Sequence, residues 1–467
     1  MAKKLAPQLF WLEWVKKIAW DPFWFVPLFL VILWVPFLRV WWWFFLPIML
    51  ASQLKMLYLW WIGWDYDYAK QKWVVLEVIP PKEVLIPIKA MEDVFATVWP
   101  IYDSGNFREV WCDGEMRWSP YWFSFEMASI EGSIHFYLRF MRQHRNVVET
   151  TLYGHYPDVE IREVVDYVKL VPPTVPNDEW NMYGEDYIFT KPDAYPLRTY
   201  EKFFEPQGEK ISAEEKRIDP INTLLESMAR LGPGEHLWVQ YVLYPVTDYD
   251  EPEWRAEGQK IINEIAKRPE KKTKTFMQDL MGTFRDLIMG PKKEGSGESA
   301  KYSWTSEEDE ETGERQISLT PGEREIITDI ENKLKKPVYK TVLRAVYVAK
   351  RENWSGGNRV AFRNYAAHFT NRGNFNRLTW SNKTRPRIHY LWRERRVFMR
   401  ARKMFRMAVL RFPSLFPDRR EELPILSTEE LASMYHFPIK VSGMAVFAME
   451  KIESKKAGPP PNLPIEE

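Results

Sequence analysis

The chain has 467 residues and carries 65 Lys and Arg against 64 Asp and Glu, a formal net charge of +1. That length exceeds what one hydrophobic core usually supports, and the even balance excludes a globally basic polyanion binder, leaving only local clusters to meet such a partner. A single cysteine, Cys112, excludes an internal disulfide framework and a CxxC metal knuckle.

In chain order, the first signal is apolar. Residues 22–38 read PFWFVPLFLVILWVPFL without a charge, and after Arg39 the run VWWWFFLPIMLA continues to Ala51. As helix, residues 20–62 would measure roughly 60 Å, two crossings of a core about 30 Å thick. The expectation is a transmembrane helical hairpin with flanks over residues 1–70, turning at Arg39. Trp11, Trp14, Trp20, Trp41, Trp42, Trp43, Trp60, Trp61 and Trp64 would then form interfacial belts. Lys3, Lys4, Lys16 and Lys17 before the run, and Lys55, Lys70 and Lys72 after it, place both ends in the cytoplasm. The run is too long for a cleaved signal peptide and no small-residue cleavage site follows it. One tilted span is the competing topology, because Pro27, Pro36 and Pro47 interrupt the pattern.

The body that follows reads as α+β. Residues 73–80 predict a strand, and 89–100 a helix with Met91, Val94, Phe95 and Val98 on one face. Strands at 121–130 and 133–140 flank a Glu131–Gly132 turn, and a helix from about 143 to 155 leads to a strand at 159–165. This β-α-β-β-α-β order is the ferredoxin-like, or split βαβ, unit, assigned to residues 71–168. A Pro-rich linker is placed at 169–185, and a second ferredoxin-like unit at 186–450. Its elements are a strand at 187–190, a helix between Pro220 and Gly232, a strand at 236–246, a helix from about 320, a strand at 338–350 and a helix at 360–372. An insertion interrupts this unit. It carries a helix near 254–268 and a polar stretch, about 291–315, expected to be disordered. A Pro-rich tail fills 451–467.

No GxxxxGK[ST] phosphate loop occurs, the seven histidines show no paired ligand spacing, and Cys112 has no activating base beside it. The sequence therefore offers no catalytic residue, no cofactor and no metal site, and the chain is expected to be non-enzymatic. The basic stretch 385–411 does stand out. Arg385, Arg387, Arg393, Arg396, Arg400, Arg402, Lys403 and Arg406 are candidate nucleic-acid or lipid contacts; helical spacing sets Leu391, Phe398, Phe405 and Val409 on one face and Arg393, Arg396, Arg400 and Lys403 on another. Phosphate backbone, anionic lipid head groups, an acidic partner, or simple solvation of a packed helix all fit that pattern.

Taken together, KWVVLEVIPPKEV, KAMEDVFATV, YWFSFEMASIEGSIHFYLR, ETTLYGHYPDVEI, KPDAYPLRTY, LGPGEHLWVQ and ILSTEELASMYHFP resemble the membrane-anchored N-terminal region of bacterial type IV secretion coupling ATPases, relatives of the HerA and FtsK pumps. In those proteins a motor domain follows; here the sequence reads to PPPNLPIEE. The resemblance implies an inner-membrane anchor or adaptor, mostly cytoplasmic, for a separately encoded secretion or DNA-transfer ATPase, possible ring assembly included. STEELASMYHF would be its docking helix, with Ser427 as N-cap, Glu430 completing a capping box, and Leu431, Met434, Tyr435 and Phe437 toward the partner; packing on its own domain is the alternative. The competing function is a membrane-tethered nucleic-acid-binding protein that uses the basic helix.

Overall fold

The computed structural model describes residues 71–101 except 82, 83 and 85, then 122–203, 219–247, 252–266, 319–370, 375–388, 392–412, 422–438 and 445–450, with isolated positions between 30 and 44 and two short pieces at 292–294 and 301–303. In chain order the elements are β1 (Trp73–Ile79), α1 (Lys89–Val98), β2 (Phe123–Ile130), β3 (Ser133–Met141), α2 (Arg145–His155), β4 (Glu160–Glu163), β5 (Trp180–Phe189), α3 (Ile221–Ala229), β6 (Glu235–Val246), α4 (Pro252–Ile265), α5 (Pro321–Lys335), β7 (Val338–Lys350), α6 (Ala361–Ala367), β8 (Leu378–Trp380), α7 (Arg393–Leu410), β9 (Ile425–Ser427) and α8 (Thr428–Met434). Single helical turns fill several of the links.

The nine strands form one antiparallel sheet in the order β8-β5-β7-β6-β2-β3-β1-β4, with β9 paired to the start of β7. Each half of the sheet carries the split βαβ strand order: fourth, first, third, second. The halves meet where β2 and β6 pair along their lengths, Phe123 opposite Leu243 and Ile130 opposite His236. Strands buried on both faces need no polar alternation, which is why β6 reads EHLWVQYVLYPV and is buried at every position. The Glu131–Gly132 turn between β2 and β3 has positive φ at both residues, +52° and +91°. A Cβ on Gly132 would lie 2.7 Å from the Leu231 carbonyl, so glycine is required there for space as well as for backbone angle.

Helices α1, α2, α3, α6 and α8 cover one face. In α1 and α3 the buried apolar residues, Met91, Val94, Phe95, Val98 and Ile221, Leu224, Leu225, Met228, follow the i, i+3, i+4, i+7 spacing of a single helical stripe. The other face carries α7 and the segment from Val164 to Val175, packed over Val75, Ala128, Tyr137, Trp238, Val346 and Val348.

This architecture corrects the expected one. Both halves contribute to one continuous nine-stranded sheet instead of standing as independent units behind a membrane hairpin, and among the described residues no helix is long and apolar enough to cross a membrane. Most of residues 20–62, where the hairpin was placed, lie outside the described residues. β5 also begins at Trp180, inside the stretch read as a linker. Its centre, Gly184-Glu185-Asp186, breaks the apolar pattern, yet both carboxylates are buried against arginines distant in sequence: Arg344 Nε donates to Asp186 at 2.7 Å and Arg363 Nε to Glu185 at 2.8 Å. The insertion packs α4 on α5 through Ile261, Ile262 and Ile330. Within the stretch expected to be disordered, Lys292–Glu294 pairs with Lys301–Ser303 as a two-stranded ribbon.

Beyond α8, His436 is buried between two acceptors, the Ala432 carbonyl at 2.8 Å from Nδ1 and an Asp219 carboxylate oxygen at 2.9 Å from Nε2. Only the imidazolium donates to both. Burial alone depresses its pKa, but the Asp219 charge, its hydrogen bond and the Ala432 carbonyl together hold it above the ordinary value. A raised histidine contributes stability that is fully present below the unfolded pKa, about 6.5, and is lost as pH rises through the folded value. Thermal unfolding scanned from pH 6 to 9 is therefore expected to show a decline in Tm that His436→Gln flattens; parallel profiles for the two proteins would rule the linkage out.

Candidate polyanion-binding surface

The α7 face of the sheet is crossed by a row of buried polar side chains. Successive strands place Tyr137, Glu126, Gln240, Arg344 and Asp186 opposite one another, from β3 through β2, β6 and β7 to β5. Unpaired, such groups would each cost several kcal/mol of desolvation, roughly 2–7 kcal/mol for neutral ones and more for charges. The end of α7, with Asp166 and Tyr167, supplies partners to Glu126, to the Gln240 amide nitrogen and to one Arg344 nitrogen. Arg411, fully buried, donates Nε and Nη2 to the two Glu126 oxygens at 3.0 and 3.1 Å, and Nη1 and Nη2 to the two Asp166 oxygens at 2.7 Å each. Tyr167 donates its hydroxyl to Glu126 at 2.5 Å, Gln240 donates to Tyr167 at 3.0 Å and to the Ala408 carbonyl at 3.1 Å, and Arg344 donates to the Phe412 carbonyl at 3.0 Å.

Burial works against the charge on Asp166, but the Arg411 charge and hydrogen bonds, with the Val168 amide, hold its carboxyl below the usual range. Arg411 itself sits at φ +53°, a left-handed conformation that costs a non-glycine residue roughly 1–2 kcal/mol. Its amide and that of Phe412 reach back to the Ala408 and Met407 carbonyls, closing the helix with a Schellman-type turn. Further along α7, Met404 lies over β5 at Gly184, where a Cβ would meet its side chain at 2.7 Å. The helix is thus fixed at its C-terminal half by packing and by a buried charge cluster.

The outer side of the helix projects a different surface. Trp392, Arg395, Met399, Arg402 and Arg406 follow a 3-4-3-4 spacing and all face solvent, Trp392 at 76% and Met399 at 60% exposure. Arg393, Arg396 and Phe398 flank this stripe and are also exposed, with Glu394 the only acid on the helix. On the other side of the helix, at the start of α7, an open cleft of about 600 Å³ lies beside β5, lined in part by Arg359, Arg387, Arg393 and Tyr183.

Of the basic candidates, Arg393, Arg396, Arg402 and Arg406 lie exposed on α7, while Arg387 is exposed and Arg385 half-buried ahead of the helix. Pro386 lies between them, and Arg385 stacks its guanidinium 5.4 Å from the Trp380 ring. Arg400 and Lys403 are half-buried, and Arg400 donates to the Asn382 carbonyl at 3.2 Å, so these two do not join the outward stripe. The apolar face also differs: Ala401, Met404, Phe405, Met407 and Ala408 are buried, whereas Phe398 is 41% exposed. Trp392 and Met399 were missed because apolar residues beside a basic run read as core. Arg359 was missed because nothing in sequence ties it to residues 387–393.

The expected docking helix is corrected. Ser427, Glu430, Leu431, Met434, Tyr435 and Phe437 are all buried. The capping box forms, but Glu430 also pairs with buried Lys333 of α5 at 3.1 Å and accepts from the Leu197 amide at 2.6 Å. Tyr241 and Tyr365 both donate to the Met434 carbonyl, at 3.0 and 2.8 Å. These residues form the core beneath α1 and α6 and present nothing to a partner. Among the described residues, no three histidine, cysteine or acidic side chains gather closely enough to hold a metal ion.

Fold and surface together define an α+β body in which two split βαβ halves share one sheet and a clamped basic helix faces outward. A family model described as "Domain of unknown function (DUF8128)" matches residues 67–440, and the chain belongs to that family. No curated protein and no solved structure matches the chain. No helix among the described residues is long and apolar enough to cross a membrane, which corrects the expected transmembrane hairpin, and the family description carries no secretion or conjugation role.

Proposed function

We propose that this protein is a non-catalytic binding module that holds single-stranded nucleic acid along the outer face of α7. The observation that carries the reading is the Trp392-Arg395-Met399-Arg402-Arg406 stripe on a helix whose inner face is clamped to the sheet. Arginine forks match phosphate oxygens, and exposed aromatic and thioether groups between them offer stacking and apolar contact to unpaired bases. An interfacial membrane helix separates a wide apolar face from a polar one. In α7 the wide apolar face is already occupied by the sheet, and the outer face interleaves charge with apolar groups, which favours a strand over a lipid surface. A binding role also agrees with the use of the buried carboxylates of Glu126, Asp166, Glu185, Asp219 and Glu430, each of which accepts hydrogen bonds that hold the fold together.

Fluorescence anisotropy with labelled dT20 tests this. Wild-type binding is expected to weaken steeply with salt, and Arg395→Glu, Arg402→Glu, Arg406→Glu together to reduce affinity at least tenfold and flatten the log–log salt slope by about 2, roughly 0.7 for each phosphate no longer neutralised. Absence of wild-type binding at low salt, or binding to phosphatidylserine vesicles with none to dT20, would overturn the proposal.

A further inference from the structure

We infer that the cleft at the outer edge of β5 is a phosphate-binding site, a second contact point for the same strand; this inference rests on the single-strand reading above. β8 pairs only with Tyr187, Ile188 and Phe189, so among the described residues the first half of β5 has no strand on its outer side. The space is instead bounded by three separate pieces of chain. Arg359 comes from the 3₁₀ turn Asn358–Val360, Arg387 from the segment leaving β8, and Arg393 from the first turn of α7, over a floor that includes Pro386 and Ile388.

The charge in this cleft is one-sided. Among the described residues, three guanidinium groups line it against one carboxylate, Glu394. Tyr183 does not compete for a ligand, because its hydroxyl donates to Glu185 at 2.7 Å and accepts from Arg363 at 3.2 Å; its ring instead supports Arg359, whose guanidinium carbon lies 5.3 Å from the centroid. That stacking directs the fork of Arg359 while leaving the residue exposed. The first turn of α7, through Arg393 and Glu394, is part of the cleft wall, and Trp392 supplies no side-chain cap to its amides. Arginines converging from three elements on one open volume suit the tetrahedral, multi-oxygen shape of a phosphodiester, which accepts several forks at once. The strand would pass from the outward stripe around the start of α7 to the edge of β5.

Two variants separate this site from the stripe. Arg359→Ala with Arg387→Ala is expected to weaken dT20 binding about tenfold and lower the salt slope by about 1.4, roughly 0.7 for each of two phosphates released. Glu394→Gln is expected to tighten binding about threefold, a gain that loss of folding cannot mimic. If the double variant and Glu394→Gln both bind like wild type while the stripe variant loses affinity, the cleft is not a site and the single-strand reading stands. If wild type binds no dT20, the reading and this inference fall together.

Discussion

Arg411→Met is expected to destabilise the protein by about 3–5 kcal/mol, read by urea unfolding at pH 7, toward the upper end because one side chain serves two carboxylates. The cost does not measure the worth of the ion pairs. Glu126 is fully buried and Asp166 largely so, and with the guanidinium gone both charges remain in an interior that water reaches poorly. The hydroxyl of Tyr167 and the amide of Gln240 still point at the site, but neither carries a positive charge. Removing the surplus charge therefore recovers stability: Arg411→Met with Glu126→Gln is expected to regain part of the loss, as strongly coupled neighbours do in a double-mutant cycle. Additive losses would show that Arg411 acts through packing alone.

Glu430→Ala is expected to cost a similar amount, about 3–5 kcal/mol for the stranded Lys333 and about 1 kcal/mol for the lost cap. The carboxylate accepts from Lys333 at 3.1 Å, from the Ser427 amide at 2.7 Å and from the Leu197 amide at 2.6 Å, so three donors lose their partner at one stroke. Because Lys333 sits on α5, the damage should spread along the helix that returns the insertion to the sheet. Hydrogen exchange would show protection falling across residues 321–335 more than across α3. Protection that falls equally everywhere would mean that Glu430 supports only global stability, and Lys333→Met in the Glu430→Gln background should restore α5.

Legibility in the sequence followed the physics of each element. The β2–β3 pair could be read because aromatic and apolar residues run up to a two-residue turn whose glycine declares a positive φ. Most of β5 could not, because Glu185 and Asp186 look like loop residues until Arg363 and Arg344 are brought to them by strands and helices more than 150 positions later. The helical period of α7 was visible, but its orientation was not: Phe398 outweighs Ala401 and Ala408 on any hydropathy scale, yet the small residues face the sheet and the phenylalanine faces water. What decides this is Gly184, a vacancy on another strand that a helix-wheel reading does not contain. The cap of α8 was legible as a local motif; its burial was not, since it depends on Lys333, Leu197, Tyr241 and Tyr365. The cleft beside β5 draws on residues 183, 359, 387 and 393, and no periodicity links such positions.

The Arg411 cluster also bears on how the chain comes to its final form. Glu126 and Asp166 lie 285 and 245 positions before their partner. During synthesis the first half of the sheet emerges long before that residue exists, with Tyr137, Tyr167 and two acidic side chains on a face still open to water. Such distant closure slows folding and lengthens the time an incomplete face is exposed to other molecules. The arrival of residues 401–412 then closes that face: Ala401, Met404, Phe405 and Ala408 cover its apolar side chains and Arg411 neutralises both carboxylates, in the same step that aims the arginines of α7 outward.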